Sequence, residues 1–226
     1  MILKAEGISR RFFRKNGGAN FFYAVQKTDF TLEAGKLCVI MGRSGSGKST
    51  FLNMLAGLLE PSEGRVMLDN TDIYAMDDKS LSRMRNKNIG VIPQGQTALS
   101  SLTVLENVKL PYLLYNKPSE KIDKYAAELI ETVGISTLGN SYPNELSGGE
   151  NRRLAIARAL LMQPGILLAD EPTGDLDDEN TKKVLELLKN AAQNGTAVLL
   201  VTHENDAENF ADSLYKMDGG VLSQIK

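Results

Sequence analysis

The chain has one cysteine in 226 residues, no basic surplus and no long apolar run, and each scarcity excludes something. A lone Cys38 cannot close an internal disulfide. Its setting, Leu37-Cys38-Val39-Ile40-Met41, reads as a buried packing thiol, and a cytosolic address fits. Lys and Arg number 26 against 28 Asp and Glu, for a net charge of -2 and a pI of about 5.6. That leaves no bulk basicity to hold nucleic acid, so no nucleic-acid partner is expected. No stretch approaches the about 18 apolar residues of a membrane helix. The longest candidates, such as Ala197 to Val201, are strand-sized. Met1 to Glu6 lacks the apolar core of a signal peptide. A membrane role is therefore expected to come through a partner.

What is present is ordinary in bulk and specific in pattern. Charged residues at 24% and hydrophobic ones at 42% suit a globular chain able to bury a sizeable core. Leu37 to Met41, Ile166 to Ala169 and Ala197 to Val201 are continuous apolar runs, as expected of central strands covered on both faces. Helical patterns follow at Lys48 to Leu58 and Asp178 to Gln193. The segment Ile2 to Phe30 alternates more and carries Asn16-Gly17-Gly18, a turn signal, so it reads as an antiparallel β layer at one edge. The middle third differs. Ile122, Tyr125, Ala126, Leu129, Ile130 and Val133 share one helical face, and Gly149 to Leu161 reads as a second, Arg- and Ala-rich helix. The expected fold is α/β. Residues 1–94 and 161–226 form a core with its N-terminal β layer, and 95–160 form an inserted helical subdomain.

Three segments carry chemistry. Gly42-Arg43-Ser44-Gly45-Ser46-Gly47-Lys48-Ser49 matches the P-loop pattern in full, after an apolar strand and before a helix. Its glycines let consecutive N–H groups turn toward phosphate oxygens, and the helix start adds positive potential. Lys48 is expected to reach the β- and γ-phosphates, Ser49 to ligate Mg²⁺ and Thr50 to hold the α-phosphate. Ile166 to Ala169 ends in Asp170-Glu171. A strand delivers such acids to the sheet edge where the P-loop sits, Asp170 for a magnesium-bound water and Glu171 as general base. Leu146-Ser147-Gly148-Gly149-Glu150 opens the Arg-rich helix with a hydroxyl and bare N–H groups, a second anion site. One nucleotide does not need both, so Ser147, Gly148 and Gly149 are expected to complete the γ-phosphate shell of a partner's nucleotide.

Gly42 to Thr50, Gln94, Leu146 to Glu150, Asp170-Glu171, Gly174 to Asp177 and His203 stand in the order of an ABC transporter nucleotide-binding subunit, a P-loop NTPase with a RecA-like core. The resemblance covers essentially the whole chain, and the five-residue signature discriminates it from other P-loop NTPases. It implies ATP and Mg²⁺ as ligands, and as partners a second subunit, in a homodimer, and an integral membrane permease. It implies a place at the cytoplasmic face of the membrane through that permease. Gln94 resembles the residue that touches Mg²⁺ and links the helical subdomain to the catalytic core. Asp175-Leu176-Asp177 resembles the loop that crosses the dimer interface, and His203 the switch histidine at the γ-phosphate. Phe12 best matches the aromatic that stacks on adenine, with Phe13 and Tyr23 competing.

Asp170 to Asp177, and Leu102 to Val108 with Leu110-Pro111, resemble the branch of macrolide exporters, lipoprotein-release systems and antimicrobial-peptide resistance transporters. A non-transport relative that signals through a membrane partner, as in cell division, shares the same site chemistry. Two departures stand out. The signature ends in Glu150 where Gln is commoner, and Gly95 to Leu99 lacks the aromatic often found after Gln94. Neither removes a catalytic residue.

Overall fold

The computed structural model describes residues 1–13, 21–174 and 176–226. The Asn16-Gly17-Gly18 turn lies outside them. Strand β1 (Ile2–Phe13) pairs antiparallel with β2 (Phe21–Glu33), and β3 (Leu37–Met41) leads to helix α1 (Lys48–Leu55). Next come β4 (Glu63–Leu68), β5 (Thr71–Asp72), α2 (Asp78–Asn88) and β6 (Ile89–Ile92). Three helices follow, α3 (Val104–Leu113), α4 (Glu120–Thr132) and α5 (Gly148–Leu160), before β7 (Ile166–Asp170). The chain ends with α6 (Asp178–Gln193), β8 (Ala197–Thr202), β9 (Ser213–Asp218) and β10 (Val221–Gln224).

The strands form two sheets. One is antiparallel, ordered β2-β1-β4-β5; the other is ordered β10-β9-β3-β8-β7-β6, parallel throughout except at β10. The continuous apolar runs are explained by the second sheet. Successive side chains of a strand point to opposite faces. Leu37, Val39 and Met41 of β3 enter a cluster with α3 to α6, while Cys38 and Ile40 enter one with α1 and the antiparallel sheet. β7 divides the same way, Leu167 and Ala169 against Ile166 and Leu168. Cys38 is 2% exposed, and burial pushes its thiol up to about 12.

Helix α1 stops short of the expected Leu58. Leu58 and Leu59 prolong the apolar pattern, but Gly57 turns to φ +68 and ends the helix at Leu55. Between β6 and β7 the described chain forms helices and no strand. Those helices share one apolar cluster with the central sheet face.

Candidate nucleotide site

The P-loop runs from the end of β3 to the start of α1, and its backbone requires its glycines at specific points. Gly47 has φ +109, and a Cβ there would lie 2.1 Å from the Ala24 carbonyl oxygen of β2. At Gly42 a Cβ would lie 2.4 Å from the Met217 carbonyl oxygen. The loop is thus clamped between β2 and β9 with room for neither substitution. Lys48, first residue of α1, is 6% exposed and donates to the carbonyls of Gly42 (2.6 Å) and Arg43 (3.2 Å).

A cavity of about 540 Å³ opens over this loop, lined by Ser44, Gly45, Gly47, Lys48, Ser49, Thr50, Gln94, Glu171 and His203. The side chain of Ser46 is buried, and its carbonyl accepts from Gly220 N–H at 2.9 Å. The structure also brings Gly219 and Gly220 to the cavity wall. The Gly-Gly pair after Met217-Asp218 is a turn signal in the sequence, but nothing local to it points to a nucleotide. A cleft of similar size, about 570 Å³, opens beside Tyr112 and Tyr125, lined by none of the residues marked for chemistry.

Glu171 is held on three sides. Its Oε1 lies 3.6 Å from Lys48 Nζ. Its Oε2 accepts from Thr202 Oγ1 at 3.1 Å and lies 2.9 Å from His203 Nδ1. A carboxylate only accepts, so this contact requires the proton of a neutral His203 to sit on Nδ1. The residue is 7% exposed and adopts φ +49, uncommon outside glycine. Backbone strain of this kind costs about 1–3 kcal/mol and clusters at functional sites. Behind it Thr173 Oγ1 donates to the Glu204 carboxylate, and Glu204 N–H donates to Thr202 Oγ1 at 3.1 Å. This bond ties the chain after Glu171 to the chain after His203. Nothing in local sequence signals it.

Asp170 ends β7 at 5% exposure, and its Oδ1 has no partner within the protein. Burial raises its carboxyl above the usual range, opposed by a hydrogen bond from Ser49. A buried carboxylate oxygen left unpaired beside a hydroxyl suits a hard divalent cation. With Gln94 on the cavity wall to offer its amide oxygen, the donor set is all oxygen and fits Mg²⁺. Two arginines of α5 pin the segment around Gln94. Arg152 donates to the Pro93 carbonyl at 2.8 Å and Arg158 to the Thr97 carbonyl at 2.9 Å.

Phe12 reaches the cavity wall with Phe22, Tyr23 and Ala24. Phe13 points to the other face of the β1–β2 ladder, pairs with Phe21 and is 72% exposed. Arg10 lies over the Phe12 ring, 4.9 Å from its centre. Phe12→Ala is expected to weaken nucleotide binding by roughly 0.5–1.5 kcal/mol, about 2- to 13-fold. Phe13→Ala should leave it unchanged. Titration with a fluorescent ATP analogue checks both; equal losses would remove Phe12 from the base site.

Ser147, Gly148 and Gly149 do not line the P-loop cavity. Gly148 lines an adjoining cleft of about 430 Å³ with Gln94, Arg152, Glu171 and His203. Ser147 caps α5 and is exposed. Asp175 lies outside the described residues, while Asp177 caps α6 by accepting from Asn180 N–H at 2.8 Å.

Comparison with known proteins identifies the family. The ABC transporter family matches residues 25–174. The chain is 40% identical over 225 residues to the lipoprotein-releasing system ATP-binding protein LolD of Aquifex aeolicus, covering 99% of this chain and 97% of that one. It is 37% identical to the ABC transporter ATP-binding protein YtrE of Bacillus subtilis, covering 92% and 90%. A dimeric structure of MJ0796, a bacterial ABC transporter cassette, superposes with a TM-score of 0.91 at 34% identity over 99% of both chains. The same cassette in a post-hydrolysis state with ADP and Pi gives 0.91 at 33%. The chain belongs to the ABC transporter family, as an ATP-binding and ATP-hydrolysing subunit.

Proposed function

We propose that two copies of this chain close head to tail around two MgATP, each nucleotide held between one P-loop and the partner's Ser147-Gly148-Gly149. The observation that carries this reading is a second helix start suited to phosphate, Ser147 to Gly149, that lies outside the P-loop cavity of its own subunit, with only Gly148 reaching the adjoining cleft. The dimeric relatives support it.

Mg²⁺ when bound neutralises charge on the β- and γ-phosphates, and Ser49, Asp170 and Gln94 are the residues that would hold it. The γ-phosphate competes with Glu171 for the Lys48 ammonium, now 3.6 Å from that carboxylate. Glu171 then accepts the proton of the attacking water while His203 steadies the water and the phosphate. Thr202 and the Thr173–Glu204 bond hold the pair in register. Once the bridging phosphate is lost, the dimer opens.

Residues 95–160 act as a subdomain that passes this movement to a separate membrane subunit, through the Arg152 and Arg158 contacts to the segment around Gln94. Among the described residues no helix is long and apolar enough to cross a membrane. Relatives named as ATP-binding parts of a lipoprotein-releasing system support placing the chain at the cytoplasmic face of the membrane, held by that subunit. Relatives named for lipoprotein release span nearly its whole length, and the work done is export or extraction of a lipoprotein-like, peptide or drug substrate. Purification of the tagged chain from its own membranes tests this. A co-purifying transmembrane subunit that alters the ATPase rate is expected. Recovery of the chain from the soluble fraction alone, with no membrane protein bound, would contradict it.

A further inference from the structure

We propose that Glu150 keeps the Ser147 hydroxyl engaged in the open subunit, and so sets how much ATP is needed to close the dimer. The inference rests on the trans role given above to Ser147.

Ser147 has one hydroxyl hydrogen to donate. In this structure it goes to Glu150 Oε2 at 2.7 Å. The same oxygen accepts Ser147 N–H at 2.7 Å, and Glu150 N–H donates back to Ser147 Oγ at 3.3 Å. These charge-assisted bonds are stronger than neutral ones. They hold the Glu150 carboxyl below the usual carboxylate range, so it carries its charge at neutral pH. Meanwhile Asn151 fixes the loop behind. Its buried amide donates to the carbonyls of Pro143 (3.0 Å), Leu146 (3.3 Å) and Ser147 (3.2 Å). The one hydroxyl hydrogen can reach another acceptor only by leaving the Glu150 carboxylate.

A phosphate oxygen accepts and cannot donate. To bind one, Ser147 has to withdraw its hydrogen from a carboxylate, and the freed carboxylate then stands beside an incoming anion. Both steps oppose closure. The start of α3 supplies an internal comparison. There Thr103 and Glu106 make the same reciprocal cap, with Thr103 Oγ1 3.1 Å from the carboxylate and Thr103 N–H donating to it at 2.8 Å. At α3 the arrangement only starts a helix. At α5 it occupies the one hydroxyl that a partner's phosphate needs.

Glutamine at 150 keeps an oxygen for Ser147 N–H, holds the hydroxyl only by a weaker neutral bond, and removes the charge. Glu150→Gln, placed in a Glu171→Gln background, is expected to lower the MgATP concentration for half-maximal dimerisation by about tenfold. Light scattering reads the dimer. A fluorescent ATP analogue should show unchanged affinity for the monomer, which places the effect in closure and not at the P-loop. The gap between the two proteins should narrow as salt rises, because screening weakens the repulsion. A dimer that forms with an unchanged or higher ATP requirement in Glu150→Gln overturns the inference and leaves the trans role standing. No dimer in either protein, despite demonstrated ATP binding, overturns both.

Discussion

Glu171→Gln is expected to slow ATP hydrolysis by roughly 100- to 10,000-fold while ATP still binds. The geometry separates the two effects. Glutamine is nearly the same shape, and its oxygen still accepts from Thr202, which now donates at 3.1 Å. The left-handed backbone at φ +49 is unaffected in kind. What is lost is the proton acceptor at the end of β7. A negative charge also leaves the neighbourhood of the γ-phosphate, so the ATP-bound state should accumulate rather than turn over. Phosphate release in the steady state, with nucleotide retention measured in parallel, checks this. Rapid steady turnover by the variant would reject the general-base role of Glu171.

Lys48→Ala is expected to weaken ATP binding by about 2 kcal/mol or more, at least roughly 25-fold. Lys48 is 6% exposed, and its ammonium spans the Gly42 and Arg43 carbonyls and the Glu171 carboxylate. A buried, compact cation is already in place where phosphate arrives. Its removal costs the phosphate contact and leaves Glu171 without its cation. Lys48→Arg should not restore binding, because a planar fork replaces a point charge in a loop with no spare room. Isothermal titration with MgATP measures both variants. Near-normal affinity in Lys48→Ala would mean that the loop's N–H groups alone hold the phosphates.

These expectations were largely legible in the sequence where chemistry is contiguous. The P-loop, the Asp170-Glu171 strand end and the Ser147 to Glu150 helix start each occupy a few consecutive residues, and the structure places each at a strand or helix terminus. The central strands were legible because burial on both faces forces continuous apolar runs. Helix α2 was not. Its sequence Asp78 to Asn88 is strongly polar and contains no buried residue; only Leu81 and Met84, both partly buried, pack on the core, too short a stripe to read. The overrun of α1 toward Leu58 has the opposite cause, an apolar pattern that outlasts the helix broken at Gly57. Contacts between distant segments left no local trace. Thr173 with Glu204, Arg152 with Pro93 and Gly220 with Ser46 are each set by the fold. Phe12 could be ranked above Phe13 only by resemblance, and the two-residue alternation of β1 gives the physical reason they face opposite ways.

Closure of the nucleotide sandwich is read most simply from the mass of the protein in solution. The mass of Glu171→Gln is followed by light scattering with and without MgATP. A rise from the 24.7 kDa monomer to twice that mass, and only with MgATP, is expected. A mass that stays at the monomer value while bound ATP is measured in the same sample would contradict the sandwich.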